Sequence, residues 1–337
     1  MAVTTGRTIP TPPVDDKIQL EKILEAKPYS RDLLTISDAE YNTALTTEAK
    51  QAHYANLLLL MSLVRLKWNG NRKGVMGLYS YRDNQRVGST DVFSNGEQYL
   101  GHNIAAIAVD DSGDVIDFDF NHNDVFRSSL EHAEARLMRR LFSLTGLRAD
   151  WALSLEKQPL NDRARFATNL SKVTIYTSLE PCAQCAGIMA LARVKEVVYL
   201  QRDDGARGVA NVLYNLKPYG TSPLPIDGSR CGLPHGEELT GQHEAYKRKV
   251  SDPSEPPFYM SLPSSPRQET DRGPWLTTFL CTDFAMRVFQ KGKDDFETFV
   301  ASGQTPWGAV DPRRINVKQL QAFLAYADMG GHRGTPH

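Results

Sequence analysis

Apolar positions before residue 100 recur at the spacing of an α-helix. Ser37 and Glu40 have the spacing of a capping box, in which each side chain bonds to the other's backbone at a helix start. A helix is therefore predicted from Ser37 to about Trp68, where Asn69 and Gly70 would end it. Its leucine, methionine and valine positions form a broad apolar face, which predicts packing in the core, the alternative being a helix that binds a partner.

After residue 100 the pattern changes to strands that alternate with helices. Residues 103–121, NIAAIAVDDSGDVIDFDFN, predict two strands joined by an Asp-Ser-Gly turn. A helix is predicted over 128–144, capped by Ser128 or Ser129. The elements predicted after it are the strand KVTIYTSL, the helix CAQCAGIMALARV, the strand VKEVVYL, the helix GVANVLYNL and a short edge strand near 224–226. This order predicts an α/β fold with parallel pairing in part of a sheet that helices cover.

These patterns divide the chain into four predicted parts. They are a disordered tail at 1–14, a helical N-terminal extension at 15–99, a core at 100–228 with an insertion at 145–170, and a Pro/Gly-rich segment with C-terminal helices that packs on the core at 229–337. Within them, a short helix is predicted over 15–26, and two amphipathic helices over 274–290 and 315–329.

Composition and charge narrow the classes of partner. The 39 basic and 40 acidic residues give a net charge of −1, whereas a protein that grips long nucleic acid by its phosphates usually has a basic surplus. The longest apolar run, residues 57–64, is far shorter than the roughly 20 residues of a membrane crossing. The first residues lack the apolar core of a secretory signal, and four cysteines do not indicate a disulfide framework. We expect a cytoplasmic protein without membrane contact.

Two pairs of residues carry the candidate chemistry. Cys182 and Cys185 follow Pro181 at the head of one predicted helix, and His132 and Glu134 lie in the first turn of another. Helix N-termini favour the anionic form of cysteine, and two such ends at one sheet edge would bring an imidazole and two thiolates together. Three protein ligands with one open position are typical of catalytic zinc. Glu134, left uncoordinated, could then move protons to and from a zinc-activated water.

Other interpretations of these residues stay open. The cysteine pair could be a redox pair, or half of a closed structural zinc site completed by Cys231 or Cys281. Cys231, His235 and His243 could hold a second metal ion. The histidine and glutamate could be an ordinary core residue and a solvated carboxylate. Three arginines on the same helix predict a solvated face, with an anion-binding patch as the alternative: Arg136, Arg139 and Arg140.

The residues around both pairs resemble a known superfamily. HAE together with EPCAQCAGIMALARVKEVVY resembles the H-x-E…P-C-x-x-C pattern of the cytidine deaminase-like superfamily, zinc-dependent deaminases of nucleobases and nucleosides. The motif is most similar to those of tRNA adenosine deaminases and of purine or cytosine base deaminases. The resemblance covers about residues 100–228. It implies a three-layer α/β/α deaminase fold, whose mixed central sheet joins an antiparallel hairpin to parallel strands.

The resemblance also implies roles for individual residues. It assigns Zn²⁺ to His132, Cys182 and Cys185. It makes Glu134 the catalytic proton carrier. It assigns the substrate to Asn121, Ala133, Glu180 and Pro181. Asn121 could instead serve only as a turn residue where the hairpin ends. The segment SSLE before the histidine and the 50 positions between His132 and Cys182 depart from the family pattern, and the long gap is consistent with the predicted insertion.

The expected activity is hydrolytic deamination of an amino-substituted nucleobase, nucleoside, nucleotide or related heterocycle. Zinc-activated water would attack the ring carbon that bears the amine. The motif favours a purine-like ring, and the balanced charge favours a small-molecule substrate. The alternatives are a deaminase that edits tRNA or DNA, a deaminase toxin, and a non-catalytic zinc scaffold. By analogy with the superfamily, a homo-oligomer, such as a dimer, is expected.

Overall fold

The structure is a computed structural model, and it describes slightly more than half of the chain. The described residues are 44–68, 102–126, 128–144, 169–203, 213, 224–251, 276–280 and 282–329. The predicted tail, the helix over 15–26, most of the insertion and nearly all of GVANVLYNL lie outside them. Within these ranges, none of the helices combines the length and the apolar character that a membrane crossing requires.

Five strands form one mixed sheet in the order β2-β1-β3-β4-β5. Their bounds are β1 Ala105–Asp110, β2 Val115–Phe120, β3 Val173–Leu179, β4 Glu196–Gln201 and β5 Leu224–Asp227. Strand β1 pairs antiparallel with β2 and with β3, whereas β3 with β4 and β4 with β5 pair parallel. The predicted combination of a hairpin with parallel strands is confirmed, and β5 is the predicted edge strand.

The turn between β1 and β2 is fixed by an aspartate and a glycine. The carboxylate of Asp110 accepts hydrogen bonds from the backbone N–H groups of Ser112 and Asp114, at 2.9 and 3.0 Å. Gly113 has a φ of +84°, a left-handed conformation that residues with a side chain adopt only with strain. A Cβ atom at Gly113 would lie 2.5 Å from the backbone oxygen of Arg314. The hairpin tip therefore depends on glycine for two reasons.

Helices cover both faces of the sheet. The longer helices are α1 Thr47–Leu66, α2 Ala133–Leu144, α3 Ala183–Ala192, α4 His235–Val250, α5 Asp283–Ser302 and α6 Val317–Met329. The shorter elements are the helical turns Asn123–Phe126, Gly228–Cys231 and Leu276–Phe279 and the two-residue strands β6 Gln304–Thr305 and β7 Gly308–Ala309. Consecutive residues of β3 point to opposite faces: Tyr176 bonds to α1, and Thr177 bonds to α2. The layers are therefore α/β/α, as predicted.

Helix α1 is a core helix, as its apolar face predicted. Its side chains from Leu57 to Leu60 are fully buried, and α5 packs along it so closely that a Cβ atom at Gly292 would overlap Met61. The predicted start at Ser37 is wrong, because residues 44–46 are not helical. Thr46 is the N-cap, and its hydroxyl accepts a hydrogen bond from the Ala49 N–H at 3.2 Å.

Two further helix predictions need correction. Helix α2 begins at Ala133 and not after Ser128 or Ser129, because the Ala133 N–H donates to Oδ1 of Asn121 at 2.7 Å. The hydroxyl of Ser128 is used instead in a local turn, where it accepts from the Leu130 N–H. Helix α4 was not predicted at all, since Pro, Gly and Ser in the flanking segments hid the helical run between them.

Candidate active site

The ends of two helices bring the candidate residues together. Cys182 is the N-cap of α3, with extended backbone angles, and Cys185 is the third residue of the same helix. His132 directly precedes α2, and Glu134 is its second residue. The amide nitrogen of Gln184 donates to the backbone oxygen of Leu130 at 3.2 Å, which ties the start of α3 to the segment before α2. Both pairs of the motif therefore face one point beside the sheet.

Three donor atoms at this point have the spacing of a metal site. Nδ1 of His132 lies 3.4 Å from Sγ of Cys182 and 3.6 Å from Sγ of Cys185, and the two sulfurs are 3.7 Å apart. A tetrahedral zinc ion with ordinary bond lengths would separate sulfur from sulfur by about 3.8 Å and nitrogen from sulfur by about 3.6 Å. In the described part of the chain, this is the one group of His, Cys, Asp or Glu residues close enough to share a metal ion. The donor set fits zinc.

The charges of the cluster also suit a cation. The hydrogen bond with Cys185 and, next to it, the neighbouring His132 lower the pKa of the Cys182 thiol to about 3. The same bond raises the pKa of the Cys185 thiol, as does its burial. The bond with Cys182 raises the pKa of His132. Hydrogen bonds thus connect the two sulfurs and the imidazole, and a bound metal ion would displace the protons of these bonds.

Glu134 lies beside the three donors but is held by another group. Its carboxylate is buried, and Oε1 accepts a hydrogen bond from the hydroxyl of Thr177 at 2.9 Å. Oε2 lies 3.6 Å from Sγ of Cys185, on the side of the donor cluster. Burial raises the pKa of Glu134 above its ordinary value. A buried carboxyl group with a raised pKa next to a metal site is suited to accept and return protons.

The four predicted substrate residues surround this cluster. Asn121 is buried at the end of β2, and its oxygen is occupied by the N–H group of Ala133. Glu180 accepts a hydrogen bond from the Asp203 N–H at 3.0 Å, and its own N–H donates to Gln201, so it ties the ends of β3 and β4. Pro181 is buried immediately before Cys182. Their roles toward substrate stay predictions.

The arginines of α2 pair with carboxylates, which does not support an anion patch. Arg136 and Arg140 are not on a solvated face, whereas Arg139 is largely exposed, as predicted. Nε of Arg136 is 3.2 Å from Asp119, and its Nη1 donates to Oε2 of Glu131 at 2.8 Å. Arg139 donates to the same oxygen at 2.9 Å. Arg140 pairs with both Asp117 and Asp119 on β2. No pattern in the sequence indicated this network, which anchors α2 to β2 and fixes Glu131 directly before the histidine.

The residues considered as ligands of a second metal ion form no cluster in the described part of the chain. Sγ of Cys231 is buried and lies 3.9 Å from the backbone oxygen of Asp227. His235 bonds to Asp295 through Nε2 at 2.8 Å, and the ring of His243 packs against Phe279. Cys281 lies outside the described residues. A second metal site at Cys231, His235 and His243 therefore has no support in the described structure.

Comparison with known protein families finds a match for the region around the cluster. Residues 89–201 match the family model described as the cytidine and deoxycytidylate deaminase zinc-binding region. The match agrees with the resemblance of the motif to the cytidine deaminase-like superfamily. It contains His132, Glu134, Cys182 and Cys185, so the zinc-binding family and the His/Cys/Cys cluster agree on a metal centre. No curated protein matches the chain in sequence.

Solved structures of deaminases also resemble the chain, at low similarity. A structure from work on A-to-I editing by tRNA:A34 deaminases is 22% identical, with 41% of this chain and 90% of that chain covered and a TM-score of 0.28. A guanine deaminase from Nitrosomonas europaea is also 22% identical, with 50% and 88% covered and a TM-score of 0.28. NE0047 in complex with 2,6-diaminopurine is 24% identical, with 39% and 68% covered and a TM-score of 0.27.

Proposed function

We propose that the chain is a zinc-dependent hydrolase that deaminates an amino-substituted nucleobase, nucleoside, nucleotide or related heterocycle. His132, Cys182 and Cys185 hold the zinc ion in this proposal. The observation that carries it is the buried carboxylate of Glu134, which lies beside the three donors with one oxygen directed toward them. A purely structural metal site needs no such group, and burying a carboxylate without a function would only reduce stability.

Bound zinc would lower the pKa of a water molecule to about 7, which makes a nucleophile available at neutral pH. Glu134 accepts a proton from that water at Oε2, the oxygen on the side of the donors. It delivers this proton to the ring nitrogen next to the carbon under attack. It then transfers the second proton of the water to the exocyclic amine, which leaves as ammonia while a carbonyl remains on the ring. The water is thereby divided between the two products, with no oxidant or reductant.

Substrate contacts are proposed for groups around the cluster that neither bind zinc nor carry protons. The oxygen of Asn121 is committed to Ala133, so the amide nitrogen of Asn121 is the group proposed to donate to a ring acceptor. Ala133, Glu180 and Pro181 are proposed to line the pocket through their backbone and shape. The resemblance of the motif favours a purine-like ring, and the net charge of −1 favours a small molecule.

A substrate panel with one matched pair of variants tests this proposal. Zinc-loaded protein is incubated with bases, nucleosides, nucleotides and short RNA and DNA, and the release of ammonia is measured. Glu134→Gln should keep zinc and lose at least about 100-fold in turnover, because proton transfer is commonly worth that factor. Glu297→Gln, at an exposed glutamate of α5, should behave as wild type. Wild-type turnover by Glu134→Gln, or no turnover of the panel by wild type, would reject the proposal.

Several predictions from the sequence accompany this function. Turnover of a short RNA or DNA that weakens steeply with added salt would favour the nucleic-acid editor instead. Residues 100–228 are proposed as the catalytic core, with 15–99 and 229–337 packed on it. The cytoplasmic location and the homo-oligomer also remain predictions.

A further inference from the structure

Three consecutive side chains of β3 bond to three different elements. The hydroxyl of Tyr176 is 3.0 Å from Nδ1 of His53 on α1. The hydroxyl of Thr177 donates to Glu134 on α2, and the hydroxyl of Ser178 accepts from the Ala105 N–H on β1 at 3.1 Å. At most 2% of each of these three β3 residues is exposed. The strand is therefore fixed from both faces, and the Thr177 hydroxyl is held in one place.

The Thr177 hydroxyl makes the two oxygens of Glu134 unequal. Its proton lies between two acceptors, Oε1 of Glu134 at 2.9 Å and the backbone oxygen of Leu179 at 3.1 Å. Oε2 has no share in this bond and lies 3.6 Å from Cys185. A carboxylate without such a bond can rotate about its last torsion, since that torsion has a broad, two-fold energy profile. The bond to Thr177 restricts this rotation and keeps Oε2 on the side of the metal ligands.

We infer that Thr177 is a positioning residue of the deaminase, which holds Glu134 so that Oε2 alone carries protons in the reaction. The inference rests on the proposed function. Within the described part of the chain, the Thr177 hydroxyl bonds to Glu134 and to the backbone oxygen of Leu179, and to none of the metal donors or proposed substrate residues, so it acts through Glu134. The general reason is geometric: a proton carrier works only within hydrogen-bond reach of the atoms it serves, and small misplacements lower the rate.

The test compares two variants of Thr177 with a matched control on the same strand. Thr177→Val removes the hydroxyl and keeps the shape, and Thr177→Ser keeps the hydroxyl. Thr174→Val is the control, because the Thr174 hydroxyl also bonds to a carboxylate, Oε2 of Glu196 at 3.1 Å, away from the site. We expect Thr177→Val to lower kcat about 10- to 100-fold, the range of a hydrogen bond to a charged group, with KM and zinc content unchanged. Thr177→Ser should recover most of that loss, and Thr174→Val should match wild type.

A second readout does not depend on turnover. The infrared band of the Glu134 carboxyl group is obtained by subtracting the spectrum of Glu134→Gln from that of the zinc-loaded protein. Loss of the hydrogen bond should shift this band in Thr177→Val and leave it in place in Thr174→Val. An unshifted band in Thr177→Val would overturn the inference even if no substrate of the wild type were found.

The kinetic outcomes separate this inference from the proposed function. If wild type turns over a substrate and Thr177→Val is equally fast, the inference alone fails. The inference also fails if Thr177→Val loses zinc in proportion to its loss of activity, since Thr177 would then have a structural role. It fails as well if Thr177→Ser is as slow as Thr177→Val. A wild type that deaminates nothing rejects the proposed function, while the infrared shift still decides the bond.

Discussion

Replacing Arg136 with Met tests how the segment before the histidine is held. Arg136 is 3% exposed and bonds to Asp119 and to Glu131. Removing one partner of a buried ion pair destabilises a protein by about 3–5 kcal/mol. Asp119 would keep its contact with Arg140, and Glu131 would keep Arg139, so neither carboxylate loses every cation. We therefore expect a loss at the lower end, about 3 kcal/mol, measured as the free energy of unfolding in urea.

Arg139→Met is the matched control for this prediction. Arg139 bonds to the same oxygen of Glu131, but 55% of its side chain is exposed. An exposed ion pair contributes about 1 kcal/mol or less, so the control should lose no more than that. Because Glu131 directly precedes His132, Arg136→Met should also release zinc to a chelator faster than wild type, and Arg139→Met should not. Equal losses of stability in the two variants would refute the reasoning from burial.

Three further predictions follow from individual residues. Gly303→Ala should destabilise the chain by roughly 1–2 kcal/mol, the cost of left-handed backbone strain alone, because Gly303 has open space around it. Gly113→Ala should destabilise the chain by more, because its Cβ atom would also overlap the backbone oxygen of Arg314. Equal unfolding free energies of the two variants would contradict this. Burial lowers the pKa of His122 to about 4, so the unfolded chain binds more protons between about pH 4 and 6.5. Wild type should therefore lose stability relative to His122→Gln as the pH falls through that range, and a constant difference would count against it. Burial raises the pKa of Cys231 to about 12, so iodoacetamide at pH 8 should leave Cys231 intact in the folded protein and modify Cys182 only after zinc is removed, as mapped by mass spectrometry.

The sheet and the meeting of the two helix ends were predictable because both depend on short-range patterns. The strand-helix alternation after residue 170 places successive helix starts at the same edge of a sheet. Cys182 and Cys185 needed only the spacing of one helical turn to share a point. His132 lies beside the two cysteines because β1 lies between β2 and β3 in the sheet. The predicted hairpin allowed this strand order but did not require it.

The start of α2 was missed because its cap comes from another element. A capping side chain is usually sought within three residues of the helix, and Ser128 and Ser129 satisfied that expectation. The actual acceptor is Asn121, 12 positions before Ala133, where β2 ends. No local pattern carries such a contact, because it forms only when the segment between strand and helix folds back.

The ion network was missed for a related reason. Charged residues on a helix were interpreted as solvated, yet Asp117 and Asp119 lie on the face of β2 that meets α2. Helix α4, in contrast, carried a readable signal. Its buried residues Leu239, His243 and Tyr246 recur at helical spacing, and only the Pro- and Gly-rich flanks concealed it.

X-ray absorption at the zinc edge tests the central claim most directly. The purified chain should bind one zinc ion with two sulfur donors at about 2.3 Å, one imidazole nitrogen at about 2.0–2.1 Å and one further light donor. Replacing either Cys182 or Cys185 with Ser should remove one sulfur from that shell. A chain that binds no zinc even when zinc is supplied, or a shell of four sulfurs, would contradict the account.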